Sequence, residues 1–191
     1  SNWIWKKNPL EGTKWDFSFP STDPCVDNWQ GVVCSTSVTG MVNVIALCLE
    51  GYNMTGPLPG SLTQLSVIQE LFLARNNLDG TIPASLAELK NLSHLMLHIN
   101  NLSGQLPDLA ASQSIFHLDC SVNYLNGTIP SNIGNMSNLN SLFMFDNNLT
   151  GTIPLELGNI TNLVNLDLAV NYLNGSIPRT IDKLTNLHGF D

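Results

Sequence analysis

The 191-residue chain is short of positive charge: 7 Lys and Arg stand against 15 Asp and Glu, for a formal net charge of −8. That balance repels phosphate backbones and anionic lipid surfaces, which argues against nucleic acid as a partner. Charged residues of either sign make up only 12% of the chain. No apolar run reaches the roughly 18 residues that a membrane-spanning helix needs, so no span is predicted. Ser1 to Lys7 lack the apolar core of a signal peptide, and any targeting segment is expected to have been removed or left out. Cysteine is scarce at four, and no cysteines and histidines stand at the tight local spacing of a structural zinc site. Also missing are a nucleophile with a positioned base, a carboxylate pair in a pocket pattern and a phosphate-cradling glycine loop, so neither an enzyme nor a bound cofactor or metal is predicted. What the chain does have is 43% hydrophobic residues, enough for a sizeable core.

Those apolar residues recur. Val44, Ile68, Leu92, Ile115, Leu139, Leu163 and Leu187 fall in register at successive spacings of 24, 24, 23, 24, 24 and 24 residues. A fixed period of this length is the mark of a stacked architecture. The unit reads L-x-x-L-x-L-x-x-N-x-L-x-G-x-I-P, seen in Ile68, Leu71, Leu73, Asn76, Leu78, Gly80, Ile82 and Pro83. The alternation Leu71-x-Leu73 is the period of a short strand with two side chains turned inward and one outward. One strand per unit predicts a parallel sheet. Asn76, Asn100, Asn123, Asn147 and Asn171 follow the strand, where an amide can satisfy the backbone of the turn and of the neighbouring coil; Tyr52 takes that place in the first unit. Glycines from Gly56 to Gly175 allow the next bend, and prolines from Pro59 to Pro178 open a stiff outer segment with short helical or 3₁₀ turns such as Ala84 to Leu89. The predicted fold is an α/β solenoid with a parallel concave β-sheet and short 3₁₀ or helical turns on its convex side. No single unit buries its own leucines, so stability comes from neighbours and the ends need covers.

Residues 15–34, with Trp15, Asp23-Pro24-Cys25, Trp29, Gly31 and Cys34, resemble the amino-terminal cap of plant-type extracellular leucine-rich repeat proteins. With the L-x-G-x-I-P units, the resemblance covers nearly the whole chain. That family includes receptor-kinase ectodomains, receptor-like proteins and polygalacturonase-inhibiting proteins. Asn2-Trp3-Ile4-Trp5 departs from the leucine-rich helix that usually opens a plant cap, and is closer to the Gly-x-x-Trp caps of algal and protist relatives. The expected division is a cap over 1–43, six repeats over 44–186 and the start of a truncated seventh over 187–191. The resemblance implies a cap disulfide between Cys25 and Cys34, which would stabilise by about 2 to 4 kcal/mol. Cys120 sits at an inward position and is expected to be a buried thiol. Cys48 faces outward; three strand spacings of about 4.8 Å keep it from Cys120, and a bridge from Cys48 to the cap is the alternative.

In a coil of this kind only the outward strand positions are free of scaffold duty, so function is sought there. The central outward column runs Cys48, Phe72, Met96, Asp119, Phe143 and Asp167. The column two residues earlier runs Ala46, Glu70, His94, His117, Ser141 and Asn165, and the column two residues later runs Glu50, Ala74, His98, Ser121, Phe145 and Ala169. Phe72, Met96, Phe143 and Phe145 are predicted to face water, and concentrated exposed apolar surface marks a binding site. His94, His98 and His117 gather on two adjacent strands with Glu70 and Asp119, leaving joint metal ligation, pH-sensitive recognition and plain polar contact open. Together with Asp167 these residues form the predicted partner-binding surface. Eight N-glycosylation acceptors, Asn53, Asn91, Asn101, Asn126, Asn135, Asn148, Asn159 and Asn174, indicate the secretory pathway and mostly avoid the outward strand positions.

The resemblance to receptor ectodomains implies a secreted or cell-surface scaffold that recognises a protein or peptide and carries N-linked glycans. Two alternatives stand beside it: a structural subunit of a wall, matrix or surface filament, whose partners are neighbouring copies, and an inhibitor of a cell-wall hydrolase.

Overall fold

The computed structural model describes residues 23–190. Expectations that fall on Trp3, Trp5, Trp15 and the rest of 1–22 lie outside them, as does Asp191. The strands Val42–Cys48, Glu70–Phe72, His94–Met96, His117–Asp119, Ser141–Phe143, Asn165–Asp167 and Gly189–Phe190 line up side by side in parallel. Val32–Thr36 closes the sheet antiparallel to the first of them, making eight strands in all. The sheet is in register: Leu71, Leu95, Leu118, Leu142 and Leu166 are successive cross-strand partners. Each is fully or almost fully buried, as the inward half of a period-2 strand should be.

After each strand the chain turns onto a flank. There a second parallel sheet is built from Ser103–Gln105, Tyr124–Thr128, Asn148–Thr152 and Tyr172–Asn174, preceded by the pair Thr55–Pro57 and Asn77–Asp79. The outer wall consists of 3₁₀ turns at Gly60–Gln64, Ala84–Glu88, Ser131–Asn135, Leu155–Asn159 and Arg179–Lys183, each entered from a proline in extended conformation. Proline fixes φ near the value the turn requires and has no N–H to leave unpaired there. The segment after Pro107, where one spacing is 23 and not 24 residues, forms no 3₁₀ turn.

The asparagine ladder ties one coil to the next. Asn123 Oδ1 accepts from the Leu102 N–H at 2.9 Å, while its Nδ2 donates to the carbonyls of Leu97, Cys120 and Ser121. Asn76, Asn100, Asn147 and Asn171 repeat the arrangement against the N–H groups of Met54, Leu78, Leu125 and Leu149. The residue before each of these asparagines is left-handed, with φ between 52° and 55° at Arg75, Ile99, Val122, Asp146 and Val170. A β-branched side chain is strained in that region by roughly 1–2 kcal/mol, so the ladder holds the backbone of Ile99, Val122 and Val170 against its preference. Nothing in the letters of the repeat announced this.

At the amino-terminal side Cys25 and Cys34 are disulfide-bonded, as the resemblance implied. Trp29, within the loop that this bridge closes, is buried. Cys48 and Cys120 are free thiols, so the alternative bridge from Cys48 to the cap is not formed. Burial pushes the Cys48 thiol up, with the Glu70 carboxylate adding to the effect, and complete burial does the same to Cys120. Neither is a ready thiolate nucleophile.

Candidate functional site

The outward positions meet in a continuous row of rings. Phe72 contacts His94 at 6.2 Å between centroids, His94 stacks on His117 at 6.1 Å, and His117 contacts Phe143 at 5.4 Å. The cause is the register: His94 and His117 are cross-strand partners, and Phe72 pairs with Met96 one strand away. The row therefore crosses four neighbouring strands, from Glu70–Phe72 to Ser141–Phe143. Phe72, Met96, Phe143 and Phe145 are half-buried, Phe72 and Phe143 against the histidine rings, and not fully in water as the sequence led one to expect. They still form the floor of the inner face.

Asp119 differs more. It is 9% exposed, because its Oδ1 turns back to accept from the Ser121 N–H at 3.0 Å and the Ser121 hydroxyl at 2.6 Å. Its Oδ2 lies 3.1 Å from His98 Nδ1. That contact is ionic when His98 is protonated and is not an aligned hydrogen bond, since Nδ1 has no hydrogen-bond partner. Asp119 is thus a support for His98 and Ser121, not an open contact point. Asp167 makes the same backbone return, to the Ala169 N–H at 3.0 Å, but stays half-exposed.

The three histidines are in different situations. The Ser93 hydroxyl lies 2.9 Å from His94 Nδ1. His117 has its Nε2 buried among the rings without a partner. Burial holds its pKa below the ordinary histidine value; Asp119 pulls it up, while His94 and His98 press it further down. His117 is therefore poised to stay neutral where an exposed histidine would charge. Among the described residues no group of three His, Cys, Asp or Glu side chains converges as metal ligands.

One member of this surface escaped the sequence reading. Phe116, 45% exposed, lies 6.1 Å from His94 and widens the aromatic floor toward the amino-terminal edge of the strands. It belongs to a fourth outward column of Ile45, Gln69, Ser93, Phe116, Asn140 and Val164, which directly follows the inward residue that sets the period. The alternation that placed the other three columns would have turned it inward, since Phe116 shares the parity of the buried Leu118 and Cys120; it faces out because it lies just before the strand that begins at His117. Conversely, Ala46, Ala74, Ser121 and Ser141 occupy outward columns but are buried. The charges around the floor are uneven. Arg75 is occupied by Glu50 at 3.0 Å, and neither Glu70 nor Asp167 has a cationic partner among the described residues.

The family model described as Leucine Rich Repeat matches residues 68–89, 114–136, 138–160 and 162–184. No curated protein sequence matches the chain. Among solved structures, the ectodomain of the Arabidopsis receptor kinase HAESA, in complex with an N-terminal extended IDA peptide hormone, is 34% identical. That alignment covers 89% of this chain and 28% of that one, with a TM-score of 0.78. The ectodomain of the receptor kinase GASSHO1/SCHENGEN3 from Arabidopsis thaliana, in complex with CASPARIAN STRIP INTEGRITY FACTOR 2, is 34% identical over 76% of this chain and 18% of that one, at a TM-score of 0.74. A chain of the Arabidopsis thaliana BIR3–SERK2 complex is 30% identical over 86% of both chains, also at 0.74. The protein thus spans under a third of the length of the first two ectodomains and most of the third.

Proposed function

The chain belongs to the leucine-rich repeat family of plant receptor ectodomains, and from that premise we propose that it is a non-enzymatic extracellular scaffold which holds a peptide or an extended protein segment across its concave sheet. The observation that carries this reading is the unbroken row Phe72, His94, His117 and Phe143, widened by Phe116. The outward columns lie outside the leucine core, yet here they form one largely apolar floor with polar edges, the composition of an interface centre with its rim. Three strand spacings of about 4.8 Å separate Phe72 from Phe143, about 14 Å, which four to five extended residues would span. In HAESA and GASSHO1/SCHENGEN3 the bound partners are a peptide hormone and an integrity factor, and a short peptide suits the length of this floor.

Glu70 and Asp167 have no cation to answer them, so a partner with basic side chains toward its ends is favoured over an acidic one. The test is a selection from a random heptapeptide display library on the folded chain. Peptides that bind are then measured against the Phe72→Ala, Phe143→Ala double variant. An affinity loss of tenfold or more, with the melting temperature within about 3 °C of the parent, supports the reading. Selected peptides that bind the double variant equally well would overturn it.

A further inference from the structure

The flank sheet carries a second pattern, independent of the inner face. At the start of the flank segment successive repeats carry Asn77, Asn101, Tyr124, Asn148 and Tyr172, and two residues further on Asp79, Ser103, Asn126, Thr150 and Asn174. Tyrosine appears in two repeats. In both, the residue two positions later is the asparagine of an Asn-x-Ser/Thr acceptor, Asn126-Gly127-Thr128 or Asn174-Gly175-Ser176. The other six acceptors have Gly51, Leu89, Ile99, Ile133, Asp146 and Leu157 at the corresponding place, none of them aromatic.

The rings are not used by the scaffold. Tyr124 is 58% and Tyr172 68% exposed, although the same position is met elsewhere by a small amide. Side chains two apart on a strand share a face, and exposure follows that rule: exposed, buried, exposed through Tyr124, Leu125 and Asn126, and exposed, half-buried, exposed through Tyr172, Leu173 and Asn174. Each phenol ring therefore lies on the outer side of the coil beside the acceptor amide, about 7 Å along the strand.

We propose that Asn126 and Asn174 carry N-linked glycans whose first N-acetylglucosamine packs on the ring of Tyr124 and Tyr172, so that the flank sheet is sheathed by sugars seated on their own aromatic platforms. In the transfer, the Asn amide nitrogen bonds to the anomeric carbon of a polyprenyl-diphosphate-linked oligosaccharide. The polyprenyl diphosphate leaves, and the nitrogen gives up one proton. The sugar ring presents a face of C–H groups and an acetamide methyl, and an exposed aromatic face is the surface on which these can leave water. Crowding points the same way. Asn126 is the cross-strand partner of Asn148, itself an acceptor, so a sugar on Asn126 gains room by lying back over Tyr124.

The experiment is a double-mutant cycle on the chain secreted from a host making oligomannose glycans, in an Asn148→Gln background. Glycopeptide mass spectrometry should find both Asn126 and Asn174 occupied. Asn126→Gln should lower the melting temperature by about 2 °C when Tyr124 is present and leave it unchanged in Tyr124→Ala. Enzymatic trimming to the first sugar should preserve that dependence. Unoccupied sites, a loss independent of Tyr124, or a coupling that disappears on trimming would each overturn the proposal. None of these outcomes bears on whether the concave sheet binds a peptide.

Discussion

Replacing Asn123 by alanine tests whether the asparagine ladder holds the coil together or merely accompanies it. Asn123 is buried in the middle of the solenoid and makes four hydrogen bonds. The three carbonyls it serves each keep another donor: Leu97 O retains Asn100, Cys120 O retains Asn147, and Ser121 O retains the Ile99 N–H. The Leu102 N–H donates to Asn123 Oδ1 in a buried bond, so without that amide it becomes a buried unpaired donor, costing about 1–3 kcal/mol. Three weakened carbonyl bonds add about 0.5 kcal/mol each, for a total near 3 kcal/mol. In a chain of this size that lowers the melting temperature by about 6–12 °C. Asn171, whose equivalent bonds are only partly shielded from water, should cost about a third as much on the same change. Asn123→Asp is the sharper variant. It keeps the acceptor for Leu102 but turns a carboxylate toward three carbonyls, so it should destabilise at least as much as alanine. Thermal unfolding followed by circular dichroism reads all three. An Asn123→Ala melting temperature within 2 °C of the parent, or rescue by aspartate, would refute the reasoning.

Two further outcomes follow from the geometry. His117 has a folded pKa below its unfolded value, so the unfolded chain takes up the proton first. Stability attributable to this residue is therefore intact above pH 6.5 and declines as pH falls from 6.5 toward the depressed value, below which it levels off. With His94, His98 and Asp119 left in place, His117→Phe should flatten that segment of the stability profile, and an unchanged profile in urea titrations at successive pH values would contradict the assignment. Val170 is 71% exposed and left-handed, so Val170→Asn should stabilise by about 1 kcal/mol by removing β-branch strain with little packing lost. A lower melting temperature for that variant would show that the strain is absent.

The sequence is informative about this fold because its signals are repeated. A 24-residue period with two inward leucines per unit leaves one arrangement that buries all of them, and the register of Leu71, Leu95, Leu118, Leu142 and Leu166 follows from counting. The role of the ladder amides was legible for the same reason. The left-handed backbone at Ile99, Val122 and Val170 was not, because it is imposed by the neighbouring coil and runs against the local preference of those residues. The candidate site was legible in direction but not in depth. Counting gave three outward columns and missed Phe116, because period-2 alternation assigns that position to the core side and the residue lies just before the strand. How far Phe72 or Phe143 sinks among its neighbours, and that Asp119 folds back onto Ser121, depends on side-chain packing between strands that periodicity does not encode.

The central claim is that the inner sheet, and not the flank, receives the partner. A selected heptapeptide bearing a photoreactive benzophenone at its middle residue would be cross-linked to the folded chain and the adduct located by mass spectrometry. The account predicts adducts on the strands Glu70–Phe72, His94–Met96, His117–Asp119 and Ser141–Phe143, concentrated around Phe72, Met96 and Phe143. Adducts concentrated on the flank strands Tyr124–Thr128 and Tyr172–Asn174, or on the 3₁₀ turns, would contradict it.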